Sequence, residues 1–252
     1  MSMDQLLARA HAVTDATGPA LVVIPARNER ANLAAVVGEL RASRPDDVVL
    51  VVDDGSTDGT ADEARRLGCP VLELPFNLGY GAAVQTGVKY GLRHRHPVVV
   101  TFDGDGQHDP ADIAPLVQAV GAGADIALGS RHLAPGAFHG GLARRVGRRT
   151  FSAACRALTG LHLTDPTSGL KALGPRGQVL FASGRFPDRF PDADALVLAR
   201  RMRLRIEERP ARMRASRNRH SMHDGHRAVA YTFNMILSLA VAALGRSQDL
   251  EG

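Results

Sequence analysis

Five short apolar runs, each ending in a polar or glycine-rich turn, constrain this chain more than any other feature. They are ALVVIPA (20–26), DVVLVVDDG (47–55), CPVLELP (69–75), PVVVTFDGD (97–105) and ADIALGS (124–130). Their hydrophobicity is continuous rather than alternating, which suits strands covered on both faces, as in a parallel sheet. Between them apolar residues recur at helical spacing over roughly 29–42, 58–67, 80–93 and 110–122. Thr57-Asp58 and Asp109-Pro110 read as helix starts, the second with proline at the first helical position. Strand alternating with helix predicts an α/β fold: a doubly wound, mostly parallel sheet with helices on both faces.

In such sheets ligands bind beyond the carboxyl ends of the strands. The polar clusters fall there: Arg27-Asn28-Glu29 after the first run, Asp53-Asp54-Gly55-Ser56 after the second, Asn77-Leu78-Gly79 after the third and Asp103 to His108 after the fourth. The fourth cluster, TFDGDGQHDP, crowds three aspartates into ten positions. Carboxylates this close repel one another unless a cation or a set of donors neutralises them. Asp103 and Asp105 can bring hard oxygen ligands to Mg2+ or Mn2+, which in turn neutralises a diphosphate. Asp53 and Asp54, at the neighbouring strand end, are placed to accept hydrogen bonds from a base or ribose.

Other nucleotide chemistries are excluded by spacing. Around Gly79-Tyr80-Gly81 the third glycine of a dinucleotide fingerprint is replaced by Val84, and no phosphate-cradling GxxxxGK[ST] occurs. Net charge is +5, and lysine is confined to Lys89 and Lys171, so arginine supplies nearly all of the 31 basic residues. Arginine forks bind phosphate in a way lysine cannot, which points to an anionic partner. Nucleic acid is not that partner: aromatics make up only 4% of the chain and no helix-turn-helix or stacking motif is present.

The N-terminal stretch MSMDQLLARAHAV lacks a long apolar core, so it reads as a short helical extension over 1–19 rather than a secretory signal. Cys69 and Cys155 are far apart and lack CxxC spacing, which favours buried reduced thiols and a cytoplasmic setting. The main domain is expected over 20–226, with a donor half to residue 130 and an acceptor half from 131. That second half holds a helix over about 142–159, a helix near 192–203, a strand near 204–209 and an arginine-rich loop from Arg212 to Arg219. An apolar helix over 227–244 and a short tail follow. Its 17 apolar-stretch residues, 228–244, carry a narrow polar stripe, Tyr231, Asn234 and Ser238, which suits a helix in a membrane interface, or one packed on the domain or across a homodimer.

Taken in order, VVIPARNE, VVDDGSTDGT, NLGYGAAVQTG, FDGDGQHDP, LGSRH and TDPTSGLKAL resemble the successive signatures of inverting family-two glycosyltransferases, in the branch of dolichol-phosphate mannose synthase and the bacterial polyprenyl-phosphate glycosyltransferases. The resemblance runs from about residue 20 to 245. It implies a GT-A fold, a UDP- or GDP-hexose donor, Mg2+ or Mn2+, and polyprenyl phosphate as acceptor, at the inner face of the membrane. On the matching positions, Pro25, Arg27, Glu29, Asp53 and Asp103 would hold the nucleoside, with Asp54, Asn77, Gly79 and Gly104 on the same rim. Asp105, helped by Asp103 and Gln107, would carry the metal on the diphosphate. Arg131 and Arg145 would hold the acceptor phosphate, with Arg149 next to them. A rival reaction on the same fold uses a soluble hydroxyl acceptor, and it requires a base, for which Asp165 or Asp192 is the candidate. The chain departs from the family at Tyr80, where a basic residue is common in mannose synthases, at Gly104 in place of alanine, and at Lys171 in place of arginine.

Overall fold

Of the 252 residues, the computed structural model describes 18–133, 162–184 and 191–214, with the isolated positions 153, 156, 157, 160 and 186. The expected N-terminal helix, the helix over 142–159 with Arg145, Arg149 and Cys155, the arginines beyond residue 214 and the apolar helix over 227–244 lie outside the described residues. So does the side chain of Asp192.

The five runs and the strand near 204–209, joined by one unexpected strand, form a seven-stranded sheet. In chain order the elements are β1 (Leu21–Ala26), α1 (Arg30–Ser43), β2 (Val48–Asp53), α2 (Thr60–Arg66), β3 (Val71–Glu73), α3 (Tyr80–Arg93) and β4 (Val99–Thr101). A 3-10 turn at Pro110–Asp112 leads into α4 (Ile113–Gly121), followed by β5 (Ile126–Ser130), β6 (Lys171–Leu173), α5 (Pro175–Ala182), α6 (Pro191–Arg201) and β7 (Ile206–Pro210). The strand order is β3-β2-β1-β4-β6-β5-β7. All pairings are parallel except those of β6, which runs antiparallel to both β4 and β5. The sheet is therefore mixed, and β6 and α5 are elements that periodicity alone does not reveal.

Alternate residues of β1 face opposite layers, which explains its unbroken apolar sequence. Val22 and Ile24 pack with Leu33, Val36, Val37 and Leu40 of α1, Ala64 of α2, and Ile113 and Leu116 of α4. Leu21 and Val23 pack on the other side with Ala83, Val84 and Val88 of α3, Leu180 and Phe181 of α5, and Leu196 and Ala199 of α6. Helices thus cover both faces. All six residues of β1 are buried.

Strand order reverses beside β1: the chain moves outward from β1 through β2 to β3, then returns by α3 to place β4 on the other flank. By that topology, the crevice expected at such a reversal lies beyond the carboxyl ends of β1 and β4. The first and fourth polar clusters meet there.

Candidate active site

The loops after β1 and β2 are bound together by polar side chains. Asn28, at φ 56°, accepts a hydrogen bond from the Thr57 amide through Oδ1 (2.9 Å), and its own amide donates to Ser56 Oγ (2.9 Å). The Glu29 amide donates to Thr60 Oγ1 (3.0 Å) and the Arg30 amide to Asp58 Oδ2 (3.1 Å). Asp58 also receives the Thr60 amide at 3.0 Å, just ahead of α2, which begins at Thr60, two residues later than the sequence pattern suggests. Gly59, at φ 85°, accounts for the delay, since the chain crosses the left-handed region there before the helix can start. Arg27 is exposed at the crevice mouth and Pro25 is buried within β1.

Asp53 and Asp54 are both buried and have separate tasks. Asp53 Oδ1 accepts from the Ser56 amide (3.3 Å) and from the Ser56 hydroxyl. Asp54 accepts from the Leu78 amide through Oδ1 (2.6 Å) and from the Gly79 amide through Oδ2 (3.0 Å). Its carboxylate is spent on fixing the Asn77–Gly79 loop. Gly55 completes this clasp: at φ 65°, a Cβ there would lie 2.7 Å from the backbone of Phe76 and Asn77. The clasped loop presents Phe76 and Leu78 to solvent.

The acidic loop after β4 is held from several sides. Asp103 Oδ2 lies 3.0 Å from Nε2 of buried His108, and the Tyr80 hydroxyl donates to Asp103 Oδ1 (3.2 Å). His108 in turn packs edge-on against Phe102, with ring centroids 5.7 Å apart. Burial pushes the Asp103 carboxyl up, but His108, buried Lys171 and Tyr80 together outweigh it and hold the group below the usual carboxylate range. Asp105 behaves in the opposite way. Burial and then the charge of Asp103 raise its proton affinity, against the Gln107 amide that donates to its Oδ1 (3.0 Å). Glu29 faces the same field, and burial together with Asp105, Asp58 and Asp103 raises it despite a 2.6 Å hydrogen bond from Asn32.

Two glycines give this loop its room. A Cβ on Gly169 would fall 2.3 Å from Asp103 Oδ2, so only glycine lets that carboxylate sit where it does. Gly104 is less tight, its nearest neighbour being Ile24 Cγ2 at 3.3 Å. From outside, the segment after β7 lies across the loop. His108 and Met213 form an antiparallel bridge, and the Arg214 amide donates to the Gln107 carbonyl (2.8 Å). Arg212 pairs with Asp109 and Asp112, and Arg214 with Asp109 and Glu39. These two arginines, read from sequence as the start of a basic loop, hold the acidic loop in place.

On the far side of the crevice, Arg131 follows β5 and meets Asp165 in a two-pronged pair. Nε donates to Oδ2 (2.7 Å), Nη2 to Oδ1 (2.8 Å), and the Arg131 amide adds a bond to Oδ2 (3.1 Å). Asp165 is 2% exposed at its side chain and Arg131 31%. Burial raises the Asp165 carboxyl, yet Arg131 outweighs burial and holds it below the usual carboxylate range. The sequence reading places both residues at the reaction centre. Joining them to each other is information that only the fold supplies.

The acidic pair suits a divalent cation. Among the described residues, no three of His, Cys, Asp or Glu are grouped as a ready-made metal cage. Mg2+ and Mn2+ do not need one beside a diphosphate, because one or two carboxylates plus phosphate oxygens suffice. Asp105, destabilised by the Asp103 charge, is the kind of carboxylate a cation would relieve.

A sheet of this order with an acidic loop at the reversal point defines a GT-A nucleotide-sugar fold. Residues 21–171 match glycosyl transferase family 2, and the chain belongs to that family. Polyprenol monophosphomannose synthase of Mycolicibacterium smegmatis is 40% identical over 159 residues, covering 60% of this chain and 60% of that one. UDP-N-acetylglucosamine–dolichyl-phosphate N-acetylglucosaminyltransferase of Methanococcus voltae is 30% identical over 209 residues, 75% of this chain and 83% of that one. Among solved structures, glucosyl-3-phosphoglycerate synthase of Mycobacterium tuberculosis with Mn2+, UDP and product shares the fold at a TM-score of 0.66 and 22% identity, over 97% of this chain and 83% of that one.

Proposed function

We propose that the protein is a metal-dependent, inverting glycosyltransferase that moves a hexose from a nucleoside diphosphate sugar to polyprenyl phosphate. Pro25, Arg27, Glu29 and Asp53 hold the nucleoside, while Asp54 works indirectly by fixing the loop at Asn77 and Gly79. Asp103 and Asp105, with Gln107, hold Mg2+ or Mn2+ against the diphosphate. When bound, the cation stabilises the charge that builds on the leaving nucleoside diphosphate.

The observation that carries the choice of acceptor is the Arg131–Asp165 pair. A hydroxyl acceptor needs a base, and Asp165 is a poor one: both its oxygens are engaged and Arg131 depresses its proton affinity. A phosphate acceptor is already an anion and needs only to be held in line with the anomeric carbon, opposite the leaving diphosphate. Arg131 supplies one positive charge for this, and Arg145 and Arg149 add theirs. The two relatives named above act on polyprenol or dolichyl phosphate by their names, which supports the same reading.

Among the described residues no helix is long and apolar enough to cross a membrane. We assign contact with the lipid, at the cytoplasmic surface, to the apolar stretch 227–244, which the sequence pattern reads as a helix, with a homodimer as the competing use. The test is transfer from UDP-glucose and GDP-mannose with Mn2+ to farnesyl phosphate, run beside farnesol. Sugar phosphodiester formed from the phosphate alone supports the proposal. Transfer to farnesol or to soluble alcohols with none to the phosphate overturns it.

A further inference from the structure

Glu208 lies on β7, outside every motif the family resemblance uses, yet its carboxylate is densely bonded. Oε1 accepts from the Asp165 amide (2.8 Å) and the Thr164 amide (3.0 Å). Oε2 accepts from the Thr164 amide (2.8 Å) and the Thr164 hydroxyl (3.1 Å). The same Thr164 hydroxyl is 2.6 Å from Ser130 Oγ, the residue before Arg131. Asp165 then carries the two-pronged bond to Arg131, whose amide it also engages.

We propose that Glu208 is a positioning residue for the acceptor arginine, acting through the backbone of Thr164 and Asp165. This inference rests on the reading of Arg131 as an acceptor-phosphate group. The physical reason is the length of the connection. Residues 164–165 lie in a loop outside any helix or strand, and a loop holds a side chain only as well as its own backbone is held. Two adjacent amides bonded to one carboxylate fix the orientation of that peptide, and with it the direction of the Asp165 carboxylate. The fork of Arg131 follows, because a bidentate pair tolerates little rotation. Register places the support: Leu128 of β5 sits opposite Glu208 of β7, so β7 brings the carboxylate beside the strand that Arg131 follows.

The test uses Glu208→Ala, Glu208→Gln, Arg131→Lys and the double variant Glu208→Ala/Arg131→Lys. Arg131→Lys keeps the positive charge beside Asp165 but loses the fork. The readouts are melting, UDP affinity with Mn2+ by calorimetry, and kcat and KM for farnesyl phosphate with whichever of UDP-glucose or GDP-mannose turns over. For Glu208→Ala the expected result is unchanged UDP affinity and a KM for farnesyl phosphate raised about tenfold, as for loss of a charge-assisted hydrogen bond. Added acetate should lower that KM again, while chloride should not. In the Arg131→Lys background the Glu208 substitution should add nothing, since both act on one group. A normal KM in Glu208→Ala beside an impaired Arg131→Lys overturns the proposal and leaves the acceptor reading standing. Additive effects overturn it too. A normal KM in Arg131→Lys removes the acceptor reading itself. If Glu208→Ala fails to fold, Glu208→Gln, which keeps one oxygen for the Asp165 amide, carries the same comparisons.

Discussion

Nε2 of His108 lies 3.0 Å from Asp103 Oδ2, while Nδ1 of the same buried ring has no hydrogen-bond partner among the described residues. The ring's polar contact with the carboxylate fixes the direction in which Asp103 points. Partners of this kind orient metal ligands, and losing one weakens metal binding by about 10–100-fold. His108→Ala is expected to weaken Mn2+ binding in the presence of UDP within that range. His108→Gln, whose amide can reach as Nε2 does, should recover part of it. Calorimetry decides, and equal Mn2+ affinity in all three proteins would reduce His108 to a packing partner of Phe102.

Asp105→Asn separates stability from function. Burial and the neighbouring Asp103 charge make the ionised Asp105 unfavourable in the metal-free protein. Removing that charge should leave the melting temperature in chelator equal to or above that of the parent. The same substitution should abolish transfer and the thermal shift produced by Mn2+ with UDP. A variant that keeps the shift would take Asp105 out of the metal site.

The glycines at 169 and 104 are predicted to differ sharply. Gly169→Ala drives a methyl into the Asp103 carboxylate, so donor and metal binding should collapse. Gly104→Ala meets Ile24 Cγ2 at 3.3 Å and Glu29 Cγ at 3.5 Å, contacts that can give, and should cost about 1 kcal/mol. UDP titration of both variants with Mn2+, alongside urea melts, checks the contrast. Similar losses in the two would mean that space around Asp103 is not the limiting factor.

Asp165 predicts a pH dependence of stability. Its folded-state pKa lies below the unfolded value of about 3.9, so its contribution is complete above that value and fades as pH falls through the folded pKa. Asp165→Asn should therefore destabilise the protein at pH 7 by about 1–3 kcal/mol, less than for a fully buried pair because Arg131 is 31% exposed. Below about pH 4 the gap should narrow, since the parent protonates and comes to resemble the variant. Denaturant melts across pH 3–7 measure the gap, and a constant difference would show that charge is not what Asp165 contributes.

Much of this architecture is legible in the chain because continuous apolar runs have few other uses. β1, β2, β4 and β5 fall within the runs that predict them, and α3 starts at Tyr80 and ends at Arg93 as its periodicity indicates. What escapes is short or long-range. β6 has three residues, too few to show a period, and no local pattern marks Lys171 at its start, noted only in place of an arginine, as buried near Asp103. The Arg131–Asp165 pair joins residues 34 apart in sequence, and Glu208 reaches Thr164 across 44. No local pattern announces such pairings. His108 and Gly169 lie in plain view within two motifs, but their tasks depend on a carboxylate that neither adjoins in sequence.

The antiparallel strand β6 gives one short stretch of backbone two clients. At one end Asp165 grips Arg131; further along, Gly169 makes space for Asp103, and Lys171 adds charge near it. The Gly169 carbonyl accepts from the Thr101 hydroxyl at 2.6 Å, and Lys171 pairs with Thr101 in register, which anchors that end to β4. This stretch therefore acts as a ruler, setting the span between the Asp103 carboxylate, proposed to serve the donor, and the Arg131 guanidinium, proposed to serve the acceptor. A residue inserted between Asp165 and Gly169 would lengthen the ruler while β4 and β5 stayed where they are. Both half-sites could then survive, each binding its own substrate, with the two reacting atoms no longer brought within reach of each other.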